Sequence, residues 1–426
     1  MNNPKTCPKI GLTTACFLSV AATSTLAGGF DLPDQDAFAV ARGLAVVATA
    51  DNPSAIFYNP AGLTQLTGNN LRAGLYAIDF DPQFTPNGGG NTFHNQTPFG
   101  ALPQLFYAHG NEQGTFSFGL GIYMPSGLSA KWQDNTGFRT LGTLGQVEQI
   151  VINPVVAFKL LPSLSIGAGL SANYANVDLR QGILWPNQPF DQFRFQGDGW
   201  GMAGNVGLRW QPIEKLAFGA TLRTGLKTEL DGYTEAYNSV ATPLPNGSYY
   251  PAFSARTDAK VDFQFPLNAV AGVSYRPTTN WNLEVDGEYI DWDSLGTLNI
   301  QQAHAVPPLF PQNIPLVLNW QSSWYALVGA TRYFDHGWHA SAGYIFNQNN
   351  LTDAHFTTVA ADQDQHYFSV GIGRKGKSYD FDIAYQFGWG PDRTVSGSVP
   401  SAAGQTANGT YGFISNAVAV SVGWHF

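Results

Sequence analysis

The sequence predicts an all-β fold: a closed, 14-stranded antiparallel transmembrane β-barrel. Three observations predict it. Segments of about ten residues alternate apolar with small or polar side chains, the length a tilted strand needs to cross a membrane. Short and long connections alternate strictly between those segments. The composition also suits a β protein with one face in lipid. Charged residues make up only 12% of the 426 residues, aromatics reach 14%, and there are 47 glycines. A soluble domain carries roughly twice that charge. No run of about 18 apolar residues follows residue 27, so a transmembrane helix is not expected.

Residues 1–27 read as a secretory signal peptide. Lys5 and Lys9 form its basic region, Ile10 to Ala22 its apolar run, and Thr25-Leu26-Ala27 its small-residue cleavage site. The apolar run is too short to span a bilayer. The only cysteines, Cys7 and Cys16, lie inside this signal, so the mature chain is expected to have no thiol or disulfide chemistry. Residues 28–66 are rich in small residues and lack sustained alternation. The barrel is assigned to residues 67–426.

Within the barrel, the last segment alternates most clearly. Val418, Val420, Val422, Trp424 and Phe426 fall on one face, and Ala417, Ala419, Ser421, Gly423 and His425 on the other. The runs Tyr379 to Trp389, Leu164 to Asn173, Phe116 to Ile122 and Trp281 to Val285 repeat the pattern. Ala255–Arg276 contains Pro266, which removes a ladder donor. It is read as one kinked strand, because two strands would break the alternation of loops. Six short connections fall near residues 110–113, 161–163, 212–214, 277–279, 335–337 and 376–378. Seven long ones fall at about 82–100, 125–144, 185–196, 232–253, 291–318, 347–364 and 390–410. Short turns on one side and long loops on the other, with both termini on the short side, form the pattern of a bacterial outer-membrane barrel. A soluble β-sandwich would place polar side chains outward and apolar ones inward. Glu284, Asp286 and Glu288 instead suit a polar interior behind a lipid-facing belt. Trp424 and Phe426 end an alternating strand on an aromatic. That is both an ordinary girdle position and the kind of signal barrel-assembly machinery reads.

Catalytic signatures are lacking: no HExxH, no zinc-spaced His/Cys cluster and no phosphate-binding loop stands in the chain. No catalytic residue, metal or cofactor is assigned, and an enzyme is not expected. The net charge of −9 argues against a nucleic-acid partner. Arg209, Arg223, Lys227, Glu284, Asp286, Glu288, Arg332, Asp380 and Asp382 fall on faces read as inward. They serve either as lumen ion pairs or, for the bases, as partners of a ligand carboxylate. Several long loops are unusually apolar. Trp185, Phe190, Phe193 and Phe195 crowd one, and Leu128 and Trp132 belong to another. Such residues either collect a greasy ligand at the barrel mouth or bury one another as a cap.

Gly28-Gly29-Phe30, then Asn52-Pro53-Ser54-Ala55-Ile56-Phe57-Tyr58-Asn59-Pro60-Ala61-Gly62-Leu63, resemble the FadL/TodX-type outer-membrane transporters of fatty acids and aromatic hydrocarbons. Gly119 to Gly127, Asn153-Pro154, Asp198 to Gly201 and Trp292 follow in the family's order. The resemblance implies fourteen strands and an N-terminal hatch, residues 28–66, folded inside the lumen. It implies capture of ligand at an outer groove, passage to an inner pocket, and hatch-gated lateral exit at a kink in the third strand, here around Gly121–Pro125. Phe30, Asn59, Pro60 and Ala61 would belong to that gate. Fatty-acid members offer a base to the carboxylate; Arg180, Arg223 and Arg332 are the candidates here. Expected partners are hydrophobic small molecules, outer-membrane lipid and lipopolysaccharide, and the barrel-assembly machinery, with the chain a monomer. A general porin for hydrophilic solutes and a structural or adhesive surface barrel are the competing readings.

Overall fold

The computed structural model describes residues 29–243, 247, 249–306 and 310–426; the expected signal peptide and Gly28 lie outside the described residues. Fourteen strands run antiparallel around the wall. They are β1 Gly68–Pro86, β2 Phe99–Gly110, β3 Phe116–Lys131, β4 Leu144–Leu161, β5 Leu164–Gln181 and β6 Asp191–Ile213. Next come β7, in two pieces Leu216–Arg223 and Leu226–Asn238, and β8, in two pieces Phe253–Phe265 and Asn268–Tyr275. Then follow β9 Trp281–Ile290, β10 Ser323–Tyr333, β11 Trp338–Asn347, β12 Gln365–Lys375, β13 Tyr379–Val395 and β14 Gly409–His425. Pairing of β1 with both β2 and β14 closes the cylinder, which leaves no free sheet edge for lipid to meet. The kinked strand read through Pro266 is β8, interrupted at Pro266-Leu267.

Every connection read as short or long keeps that character, but most strands outrun the segments read from sequence. β6 begins at Asp191 and β3 ends at Lys131. Phe193 and Phe195, read as loop residues, therefore lie on β6, and Leu128 lies on β3 opposite Val147. The ladder continues above the bilayer, where the outer face no longer has to be apolar, so the sequence pattern stops before the hydrogen bonds do.

The outward faces carry the lipid belt. On β6, Trp200, Met202, Val206, Leu208 and Trp210 are all exposed. Two charged residues read as inward belong outside. Arg332 is exposed on β10, its guanidinium 5.6 Å from the Trp281 ring and 5.1 Å from that of Phe334. Lys227 is exposed on β7 and pairs with Asp262 at 2.8 Å. Long bases at the bilayer boundary keep their charge in water while their stems lie against aromatic rings, so charge alone mis-signals the face there.

Inside the cylinder lie residues 29–66. They form a short helix α1, Ala37–Ala41, a second, α2, Ala55–Tyr58, and a 3-10 turn, Pro60–Gln65. Asp36 caps α1 by accepting from the Phe38 amide at 3.0 Å, and Asn59 caps the turn by accepting from the Ala61 amide at 3.2 Å. A wall of small residues admits this backbone. A β-carbon at Gly167 would sit 2.5 Å from the Pro60 carbonyl carbon, and one at Gly207 would overlap the Asn59 side-chain oxygen.

Candidate functional site

Buried charges fasten the N-terminal segment to the wall. Arg42 reaches Glu284 of β9 at 3.2 Å and Thr331 at 2.9 Å. Glu284 also accepts from the Ala48 amide at 2.7 Å, and Asp286 from the Val47 amide at 3.0 Å. Arg72 of β1 binds Asp36 and reaches Asp382 of β13 at 2.7 Å. These carboxylates stand on inward faces among apolar neighbours, and a buried charge persists only when paired and hydrogen-bonded. Arg209 donates to the Ala48 carbonyl at 2.8 Å. The lumen charges are thus largely engaged with the segment and with one another.

Burial pushes the Asp34 carboxyl up to about 7; the charge of Glu288 adds to the rise and a hydrogen bond from Gln386 opposes it. Asp31 is raised the same way, by burial first and Glu288 second. A carboxyl with a folded-state pKa above its unfolded value favours the docked segment in its protonated form. That contribution is fully present below about pH 4 and is lost as pH rises through about 7. Amides of residues 31–36 should exchange faster at pH 8 than at pH 5.5, after correction for intrinsic rates. Asp34→Asn should shrink the difference and added Asp31→Asn should remove it; equal protection at both pH values in the wild type would refute this coupling.

Among the cavities beside the segment, two adjoin Phe30. The outer one, open toward the loops, is lined mainly by apolar side chains, among them Leu144, Phe193, Phe263, Ile300, Leu316 and Trp320. Arg180 stands at its rim, bonded to Asp178, which Arg194 shares at 2.8 Å. The inner cavity is more polar: Gln149, Asn153, Asn173, Asn205 and Arg223 face it. Phe30 lines both. Its ring packs 4.8 Å from Trp292, 5.5 Å from Phe263 and 5.9 Å from Trp320, and stands between the two cavities.

The inner cavity reaches the third strand where its register breaks. Tyr123 pairs with Val151 and Ser126 with Gln149, so Met124 and Pro125 together oppose a single residue, Ile150. This is a bulge, and Pro125 accounts for it because it brings no ladder donor. Pairing between β2 and β3 stops at Leu105 and Ile122, and resumes as isolated bonds near Ser129 and Lys131. The N-terminal segment satisfies the carbonyls this frees. The Leu32 amide donates to Pro125 at 2.7 Å and the Gln35 side chain to Met124 at 2.9 Å. Gly121 faces Ile56.

The residues singled out from sequence fall in different places. Phe30, Gly121 and Pro125 converge on the inner cavity and the break beside it. Asn59 is buried and donates to the carbonyls of Val47 at 2.7 Å and Leu208 at 3.0 Å. It and Pro60 are held against β5 and β6, away from the bulge, with Ala61 in the turn they begin. Of the loop aromatics, Phe193 lines the outer cavity. Phe195 is wholly buried, and Trp132 is buried with its indole donating to the Thr358 carbonyl. Trp185 and Phe190 pack edge to face on each other. Arg223 lies over the Phe57 ring and donates to the Phe57 carbonyl at 3.0 Å, beside the inner cavity. Trp424 and the exposed Phe426 end β14 on the outer face. Sequence reasoning passed over Gln35, Arg42, Arg72 and Trp320. The acid before an apolar helix, Asp36, was a readable cap signal, but its partner lies on another strand.

The description "Outer membrane protein transport protein (OMPP1/FadL/TodX)" belongs to a family whose model matches residues 18–426. The long-chain fatty acid transport protein of Escherichia coli O6:H1 is 24% identical, over 88% of this chain and 91% of that one. Among solved structures, a Pseudomonas aeruginosa FadL homologue superposes with a TM-score of 0.81 at 18% identity, covering 93% of this chain and 100% of that one. The Pseudomonas putida toluene transporter TodX superposes with a TM-score of 0.71 at 18% identity, covering 93% and 99%. The chain belongs to the FadL/TodX family of outer-membrane transport proteins.

Proposed function

We propose that the protein is a passive channel for uptake of hydrophobic compounds, either long-chain fatty acids or hydrocarbons. Ligand enters the apolar outer cavity, passes Phe30 into the inner one, and leaves sideways at the β3 bulge when the N-terminal segment, acting as a hatch, releases it. One observation carries this reading. The segment whose Phe30 parts the two cavities is the segment whose Leu32 and Gln35 bond the bulge carbonyls. Entry gains roughly 0.8 kcal/mol per buried methylene. A tight single site would hold such a ligand, so two successive cavities and a movable divider suit release. A ligand carboxylate would meet Arg180 first, because Asp178 is shared between two guanidiniums and neutralises only one. The lumen is occupied by residues 29–66, which opposes a general porin. Similar proteins include both a long-chain fatty acid transport protein and a toluene transporter, and either cargo suits the outer cavity.

Asn59→Ala removes the two bonds to Val47 and Leu208 and the cap on the turn. Stranding buried carbonyls costs about 1–3 kcal/mol, so the segment should dock loosely in an intact barrel. Cells without a transporter of their own, carrying this variant, should take up labelled oleate or toluene more slowly than cells carrying the wild type. Wild-type uptake by a folded variant would remove the hatch role.

A further inference from the structure

The β3 bulge is not the only place where the ladder fails at the inner cavity. Between β6 and β7 the last lower pair is Asn205 with Arg223 and the first upper pair is Asp198 with Asp231. Residues 199–203 of β6 thus face 225–230 of β7 without regular pairing, directly above a backbone bond from the Thr224 amide to the Gly204 carbonyl at 2.9 Å. β7 is interrupted at Thr224-Gly225, and β8 is interrupted directly beside it at Pro266-Leu267, since Arg223 pairs with Asn268 and Leu226 with Phe265. The two strands bend together, which keeps their own ladder while β6 and β7 part.

The lower end of this seam lies at the bilayer boundary, with the exposed Lys227 and Glu229 on the outer face above it. On β6 the exposed Trp200 and Trp210 mark the two ends of the apolar belt, and Gly204 sits between them. Backbone groups without partners cost several kcal/mol each in hydrocarbon, and irregular backbone is tolerated there only where it lines a cavity. The inner cavity is the one available: Ala203, Gly204, Thr224 and Leu226, from both sides of the seam, line it. Thr224 is exposed on the outer surface as well as lining the cavity. The freed groups find polar partners there. Ser171 donates to the Ala203 carbonyl at 3.2 Å, and the Gly204 amide to the Thr224 hydroxyl at 3.0 Å.

From this geometry we infer a second mouth of the inner cavity, through the wall between β6 and β7 just above the Gly204–Thr224 bonds, by which a hydrophobic compound exchanges with the membrane. The inference rests on the transport reading for its use, but the opening itself is tested separately. Beyond Cys16 the chain has no cysteine. Ala203→Cys places one thiol in the cavity beside the seam. The full protein carrying it is reconstituted in phospholipid vesicles, and pyrene maleimide dissolved in the bilayer is the probe. Gly127→Trp is added to fill the β2–β3 seam, since a side chain at 127 meets Leu102 across it. The thiol should still be labelled, and Thr224→Trp, or Thr224→Leu if the larger residue prevents folding, should abolish the labelling. No labelling with Gly127→Trp present, or labelling indifferent to residue 224, overturns the second mouth. Oleate and toluene uptake by the wild type decides the transport reading on its own: uptake without labelling keeps transport and removes this mouth, whereas labelling without uptake does the reverse.

Discussion

Arg72→Met should lower the unfolding free energy by roughly 3–5 kcal/mol, because it leaves several buried carboxylates without their cation. Arg72 binds Asp36 and reaches Asp382 at 2.7 Å and Asp380 at 3.9 Å, and all four side chains are nearly inaccessible. Methionine fills similar space, so the loss is of charge compensation and not of packing. His339 also bonds Asp382, at 2.7 Å, and leaves that carboxylate one partner. The measurement is a urea titration of the protein in lipid vesicles. The same preparation should show faster amide exchange at Ala37–Ala41, because Asp36 caps that helix and is tied to the wall through Arg72. Combining Arg72→Met with Asp36→Asn should recover part of the loss. A titration midpoint unchanged from the wild type would mean that this network does not hold the segment in place.

The second large effect is electrical. Gly343 on β11 lies against the backbone at Arg42 and Gly43, where an added β-carbon would overlap both. Gly343→Leu should therefore push the N-terminal segment off the wall. A barrel of fourteen strands emptied of its filling approaches the size at which an aqueous channel remains. The wild type should be nearly silent in planar bilayers, and Gly343→Leu should pass a steady ion current. Gly287→Leu is the control: Gly287 is exposed on β9 with nothing within 4 Å of an added β-carbon, so the same side chain there should change nothing. A silent Gly343→Leu protein whose residues 29–66 remain protected from protease would show that the segment does not plug the lumen at this point.

The contrast between Gly287 and Gly343 shows what alternation reveals. Both are small residues on alternating strands, and sequence places each on a face; only the folded wall shows that one meets lipid and the other a backbone. Arg332 and Lys227 went to the wrong face because a charge near a membrane boundary is tolerated outside as well as inside. The family resemblance marks Phe30 only as belonging to the N-terminal segment; its position between two cavities depends on Phe263, Trp292 and Trp320, which come from three distant stretches of chain.

By itself the sequence determined the architecture. Lipid on one side and lumen on the other impose a period of two on every strand, and turn length records which side of the membrane a connection occupies, so strand number and direction follow from local pattern, while the residues from Asn52 to Leu63 carry the family resemblance. The tertiary structure alone decided which residues hold the N-terminal segment and where the wall parts. Arg42 meets Glu284, and Arg72 meets Asp382, across hundreds of residues. The interruptions at Met124-Pro125 and Thr224-Gly225 appear only when neighbouring strands are set in register. Pairing around a closed cylinder is a cooperative property of all the strands, and no single segment of sequence carries it.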